Sequence, residues 1–159
     1  MDALELLKQD HDKVKQMMSE LEHTGDEQRE KREEIFAQLK RELTIHEILE
    51  EEIVYPTFEK QTKLKEVVLE GYQEHHVVDL VLGEMMEIDA DDENWSAKLS
   101  VAKENVEHHI EEEEGQMFKI ARGIFDEQQL AKMGNLLASR KQELEAESDD
   151  ELEGTREAA

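Results

Sequence analysis

The sequence predicts an all-α protein, an up-down antiparallel four-helix bundle with a short fifth C-terminal helix. Three observations predict it. Apolar residues recur at the helical period in four long stretches joined by short polar connections. One proline, seven glycines and 4% aromatic residues against 39% charged ones disfavour strands, which prefer aromatic and β-branched side chains. The chain also repeats itself. Asp10-His11, Val14, Met18 and Leu21 match Glu74-His75, Val78, Leu82 and Met85 at an offset of 64, and His46, Glu50, Glu51 and Tyr55 match His109, Glu113, Glu114 and Phe118 at 63. Two similar helical hairpins therefore face each other, which buries four apolar stripes at once.

The first helix starts from an Asp2-x-x-Glu5 capping box, carries Leu4, Leu7, His11, Val14, Met18 and Leu21 on one face, and stops near Thr24-Gly25-Asp26. The second carries Ile35, Leu39, Leu43, His46, Leu49, Glu50 and Ile53 and is expected to end or kink at Pro56, whose ring cannot continue the backbone ladder. The third follows Thr62 with Leu64, Val68, Gly71, His75, Val78, Leu82 and Met85. The fourth follows the polar turn at Asp89 to Asn94 with Trp95, Leu99, Ala102, Val106, His109, Glu113, Met117 and Ile120. Asp126, with Gln129 three residues on, caps a shorter helix over 126–144 that crosses the bundle or extends into a dimer contact. The expected organisation is a bundle over 1–125, the fifth helix over 126–144, and an acidic, disordered tail over 145–159, where Leu152 is the one aliphatic side chain larger than alanine.

The formal charge of the 159 residues is −24. Nucleic-acid partners are excluded, because phosphate recognition needs a basic face, and anionic membranes repel the same surface. No cysteine means no disulfide, no thiolate metal site and no thiol nucleophile. The first residues lack the basic and apolar regions of a signal peptide, and no apolar run approaches the ~18 residues of a membrane span. A cytoplasmic location is expected.

Six polar residues interrupt the apolar stripes: His11, His46, Glu50, His75, His109 and Glu113. In the second and fourth helices the pair is His-x-x-x-Glu, which puts both side chains on one face, one turn apart. A polar group buried without a partner costs ~2–7 kcal/mol, so six would outweigh the ~5–15 kcal/mol net stability of a domain. A dinuclear metal centre satisfies all six together. Four imidazoles and two carboxylates form a nitrogen and oxygen donor set suited to iron, manganese or zinc, and carboxylates bridge metals ~3.5–4 Å apart. Such a set leaves coordination positions open for small molecules.

Neighbouring residues divide by direction. Consecutive helical residues point ~100° apart, so His76 and His108 face away when His75 and His109 face inward, and His23 lies solvated at a helix end. The glutamate runs 50–52 and 111–114 are otherwise a solvated face, with Glu47 the best further candidate as an alternate or supporting ligand. His46 to Glu50 resembles the metalloprotease His-Glu-x-x-His motif but ends in Glu. The Glu-x-x-His of ferritin-like sites occurs only at Glu20 to His23, at a helix end.

The order His11, His46-x-x-x-Glu50, His75, His109-x-x-x-Glu113, with Tyr55-Pro56 closing the second helix, resembles the hemerythrin-like HHE cation-binding family over about residues 1–125. The resemblance implies two non-haem iron ions held between the helices, with manganese or zinc as substitutes, and dioxygen, peroxide or another small diatomic molecule as ligand. Related proteins carry or store dioxygen, sense oxygen or iron, or decompose peroxide. The expected function is dioxygen binding or peroxide reaction, with catalase- or peroxidase-like turnover left open. The alternatives are an iron or redox sensor acting on a protein partner, or a metal store without turnover.

Two departures from the oxygen carriers matter. They have a further histidine one turn before the position of His75, where this chain has Gly71, and that change leaves room for another ligand or a water. Their last carboxylate lies five residues after its histidine, whereas the repeat here favours Glu113 at four, with Glu114 as the fallback. Tyr72, near the face of His75, could hydrogen-bond into the site or act as a ligand, or simply pack at the core boundary.

Overall fold

A computed structural model describes residues 1–158 of the chain, and all its regular elements are helical. Helix α1 spans Ala3–Glu22 and begins at the expected capping box: the Asp2 carboxylate accepts from the Glu5 N–H while the Glu5 carboxylate accepts from the Asp2 N–H, each at 2.9 Å. After a 3₁₀ turn, α2 (Arg29–Leu49) runs back, α3 (Tyr55–Phe58) extends its line, α4 (Thr62–Met86) returns, and α5 (Glu93–Glu112) completes the up-down bundle with α6 (Phe118–Ile124) at its end. Helix α7 (Glu127–Glu145) starts at the predicted Asp126 cap, which accepts from the Gln129 N–H at 2.8 Å, and lies against α1 and α2.

Between α2 and α3 the backbone forms one π-helical turn, Glu50–Val54, and between α5 and α6 another, Glu113–Met117. Each begins at the glutamate of a His-x-x-x-Glu pair. Tyr55 N–H bonds to the Glu50 carbonyl, and Phe118 N–H to the Glu113 carbonyl, both five residues back. The expected break at Pro56 is therefore a wider turn that starts before the proline and leaves it in the first turn of α3, where its missing N–H costs little. Proline is not the cause, because the second π turn has none. Turns of this kind cluster at functional sites.

Most of the segment expected to be a disordered acidic tail, over 145–159, is instead helical among the described residues, with Ala159 lying outside them. Helix α8 (Asp149–Ala158) packs on α2, with Leu152 only 2% exposed in the core. The acidic residues that suggested disorder meet cations: Asp149 accepts from Arg41 at 2.8 Å, and Glu153 pairs with Lys40. One well-placed leucine and these ion pairs order the segment.

The apolar core has two parts. One contains Leu4, Leu7, Ile48, Leu49, Tyr55, Phe58 and Val68, and the other Val14, Met18, Leu39, Leu43, Val78, Leu82 and Trp95. The six polar stripe residues lie between them along each helix, all buried. Among the described residues no helix is long and apolar enough to cross a membrane.

Candidate metal centre

All six side chains converge. The Glu50 carboxylate lies 3.0 Å from Nε2 of His46 and 2.9 Å from Nε2 of His75. The Glu113 carboxylate lies 3.0 Å from Nε2 of His11 and 3.2 Å from Nε2 of His109. Donor atoms of His11, His46, Glu50 and Glu113 lie within 4.8 Å of one another, as do those of Glu50, His75 and His109. Glu50 belongs to both groups, as a bridging carboxylate would. Both its oxygens, and Nε2 of His46, are buried without a hydrogen-bond partner. They approach one another at angles that make no hydrogen bond and converge instead. Nε2 of His75 and of His109 are 3.2 Å apart, and two neutral imidazoles in this pose share at most one proton. This donor set fits shared cations better than it fits itself.

A carboxylate stands behind every histidine. Nδ1 of His11 faces Glu114 at 2.9 Å, that of His46 faces Asp10 at 3.3 Å, that of His75 faces Glu51 at 3.7 Å, and that of His109 faces Glu74 at 2.9 Å. The pattern follows the repeat: the acid preceding the histidine of one helix serves the histidine of the next, and the acid after Glu50 or Glu113 serves the remaining two. At His11, His46 and His109 the contact is a hydrogen bond, which fixes the ring and leaves Nε2 free for metal, whereas Nδ1 of His75 has no hydrogen-bond partner and Glu51 is the carboxylate that faces it.

The same charges set the proton affinities. Burial alone would push the His46 and His109 imidazoles down, but Glu50 and Asp10 around one, and Glu113, Glu50 and Glu74 around the other, hold them well above the ordinary histidine range. Burial and the charge of Glu50 work to raise Glu113, yet His109 and His11 bring it down to about 2. Burial likewise opposes ionisation of Glu50, and His46, His109 and His75 hold it well below the usual range. Protons therefore serve as substitute cations in the metal-free cluster.

Tyr55 and Phe118, equivalent in the repeat, both stack on a histidine: Tyr55 on His75 with ring centroids 5.4 Å apart, Phe118 on His11 at 5.9 Å. Only Tyr55 carries a hydroxyl, which donates to Glu113 at 2.8 Å and lies 3.4 Å from Nε2 of His75. Burial and the two glutamates push its ionisation well up. On the other side of the centre a cavity of about 20 Å³ is lined by the four histidines together with Val78 and Val106, room for one small molecule.

The model of the hemerythrin HHE cation binding domain matches residues 2–121. The chain belongs to the hemerythrin HHE cation-binding family. A solved hemerythrin HHE cation binding domain-containing protein from Mycobacterium kansasii shares 23% identity with it, covers 91% of this chain and 87% of its own, and superposes with a TM-score of 0.80. No curated protein matches. Metal binding is thus a property of the family to which the chain belongs, and its four-helix architecture is that of the HHE domain.

Within this HHE domain the remaining candidates fall outside the donor group. Glu114 is not an alternate to Glu113 in this arrangement, since it supports His11 from behind. Glu47 is buried and lines the cavity, but one of its oxygens turns to Arg156 at 3.5 Å, and burial pushes its carboxyl well up. Tyr72 is half-buried with its ring 5.0 Å from that of Tyr55, one layer out from the histidines. His76 and His108 are exposed, as their helical directions require. Sequence reasoning missed Tyr55 as a site residue and Asp10, Glu51 and Glu74 as histidine partners. The repeat held the signal, because it aligns Asp10 with Glu74 and Glu51 with Glu114.

Proposed function

We propose that the protein is a non-haem di-iron protein in which His11, His46, Glu50, His75, His109 and Glu113 hold two iron ions, and that it binds dioxygen or reacts with peroxide. The convergence of the six buried donors, with the Glu50 oxygens lacking any hydrogen bond, carries this reading. Iron there would supply redox chemistry at coordination positions the protein does not fill.

The chain's own residues define what reaches those positions. The adjoining cavity is narrow, flanked by Val14, Val78, Val106 and Ile110 with Glu47 and Glu74 also on its wall, so it admits small molecules and excludes larger substrates. Tyr55 holds a hydrogen on Glu113 and fills the side of the site opened by Gly71. The carboxylates at Nδ1 raise imidazole basicity and so favour oxidised metal. We also place the protein in the cytoplasm.

The test is to load the metal-free protein with ferrous iron under anaerobic conditions, add dioxygen or hydrogen peroxide, and follow the optical spectrum and dissolved oxygen. A reversible new absorption supports a carrier, and repeated oxygen release from peroxide supports catalase-like turnover. Iron that stays colourless toward both oxidants contradicts the reading and favours a store. A sensor role draws on a different observation: α8 reaches residues beside the centre, so a change there has a route to the surface.

A further inference from the structure

Two of the four histidine-supporting carboxylates are themselves held from outside, and both holders come from the C-terminal helices beyond the residues matched to the family. Asp10, which faces His46, accepts a hydrogen bond from Lys141 of α7. Glu51, which faces His75, is paired with Arg156 of α8. Arg156 also lies 3.1 Å from Asp79 and 3.5 Å from Glu47, so one guanidinium gathers three carboxylates from α2, the first π turn and α4. Glu51 and Glu47 are nearly inaccessible, with 10% and 3% of their side chains exposed.

The other two supports lack such a holder. Glu74 has His108 as its outer neighbour at 3.4 Å, and among the described residues Glu114 makes no ion pair besides that with His11, with Lys8 and Lys15 acting on it only at longer range. His46 belongs to one donor group and His75 to the other, so the C-terminal helices brace one histidine of each. Their docking is firm. Leu130, Leu137, Leu144 and Leu152 are buried in the core, and Arg41 donates to the carbonyls of Glu145 and Glu147 at the joint between α7 and α8.

We propose that α7 and α8 form a clasp on the metal centre, in which Lys141 and Arg156 are positioning residues that hold Asp10 and Glu51 against His46 and His75 and thereby slow metal release. This rests on the di-metal reading above. Without Arg156, Glu51 remains as a buried carboxylate without its guanidinium, a costly state. Glu51 then relaxes toward solvent, and Nδ1 of His75 loses the carboxylate that faces it.

The test uses the full chain as wild type, R156Q, R156K and K141Q, with R32M as a destabilised control whose change lies at the far end of the bundle. Iron loss from the loaded protein to a strong ferrous chelator is timed, and nitrogen-15 imidazole spectra are recorded on the zinc-loaded protein. R156Q should release iron about tenfold faster, at the low end of the effect of disturbing the groups behind a metal ligand. It should move the His75 resonances while His11 and His109 stay in place, K141Q should do the same at His46, and R156K should recover part of the loss. Unchanged release in R156Q, equal shifts at all four histidines, or an equal acceleration in R32M would overturn the clasp. A wild-type chain that takes up no metal would overturn the di-metal reading and the clasp with it, whereas loaded wild type with unaltered R156Q removes the clasp alone.

Discussion

The hydroxyl of Tyr55 occupies the space that a β-carbon on Gly71 would need, at 2.7 Å, with the ring carbon bearing it at 2.9 Å. The two residues are one arrangement: the absent side chain on α4 admits the phenol that reaches Glu113. G71A should therefore destabilise the metal-free protein by about 1–3 kcal/mol, the usual cost of overpacking. Urea unfolding in a Y55L background should show most of that cost removed. A cost that persists there would place the collision elsewhere.

Y55F keeps the ring and its stacking on His75 but leaves a buried carboxylate oxygen of Glu113 without its donor. Hydrogen bonds to charged groups contribute about 1.5–3 kcal/mol. A loss in that range is expected for the metal-free protein, together with a shifted absorption spectrum in the iron form. No spectral change would mean that the phenol does not feel the metal.

Glu50 is shared by both donor groups, whereas His11 and His109 each belong to one. E50Q should reduce bound iron from about two ions per chain to well below one, while H11A or H109A should weaken one ion more than the other. Elemental analysis of each purified variant decides this. Equal, partial losses in all three would argue against a bridging role for Glu50.

Metal-free and loaded proteins should respond oppositely to pH. In the metal-free form His11, His46 and His109 are raised above the ordinary 6.5. Their stabilisation is complete below that value and is lost as pH rises through the raised ones. Glu50 and Glu113 are lowered from 4.5, Glu113 to about 2, so theirs is present above 4.5 and is lost as pH falls from there through the lowered values. Of the charged groups facing these three histidines, Asp10, Glu74 and Glu114 favour the protonated imidazole. The metal-free form should be most stable between these limits and weaken toward pH ~8. Metal needs neutral imidazole, so the stability gained on loading should grow over the same rise. Melting temperatures of both forms at pH ~5.5 and ~8 should show a widening gap, and a constant gap would contradict the assignment.

Arg32 ties the opposite end of the bundle together. Buried against the Trp95 ring at 5.0 Å, it donates to the Ala90 carbonyl at 2.6 Å and to the Thr24 carbonyl at 2.9 Å. R32M strands both carbonyls, at about 1–3 kcal/mol each. The expected outcome is a lower melting temperature with unchanged metal content, and loss of metal would mean that the two ends are coupled.

The bundle was legible because apolar spacing and capping boxes act locally: Asp2 with Glu5 and Asp126 with Gln129 cap the helices they were read to cap. The convergence of the six buried polar residues was legible because polar residues on an apolar stripe need a common partner. What was not legible depends on the third dimension. The π turns leave no periodic mark, and Pro56 drew attention to one that Glu50 begins. Helix α8 was hidden because composition sees acidic residues but not Arg41 and Lys40 waiting for them. Glu51 looked like one more member of a solvated run until Arg156 and His75 enclosed it.

The proposed function stands on a dinuclear iron centre held by the six converging side chains. The most direct measurement is the iron content of the natively purified chain, paired with that of E50Q, by elemental analysis. The expected result is about two irons per wild-type chain and well under one in the variant. Wild-type protein that holds no iron and acquires none from ferrous solution would contradict it.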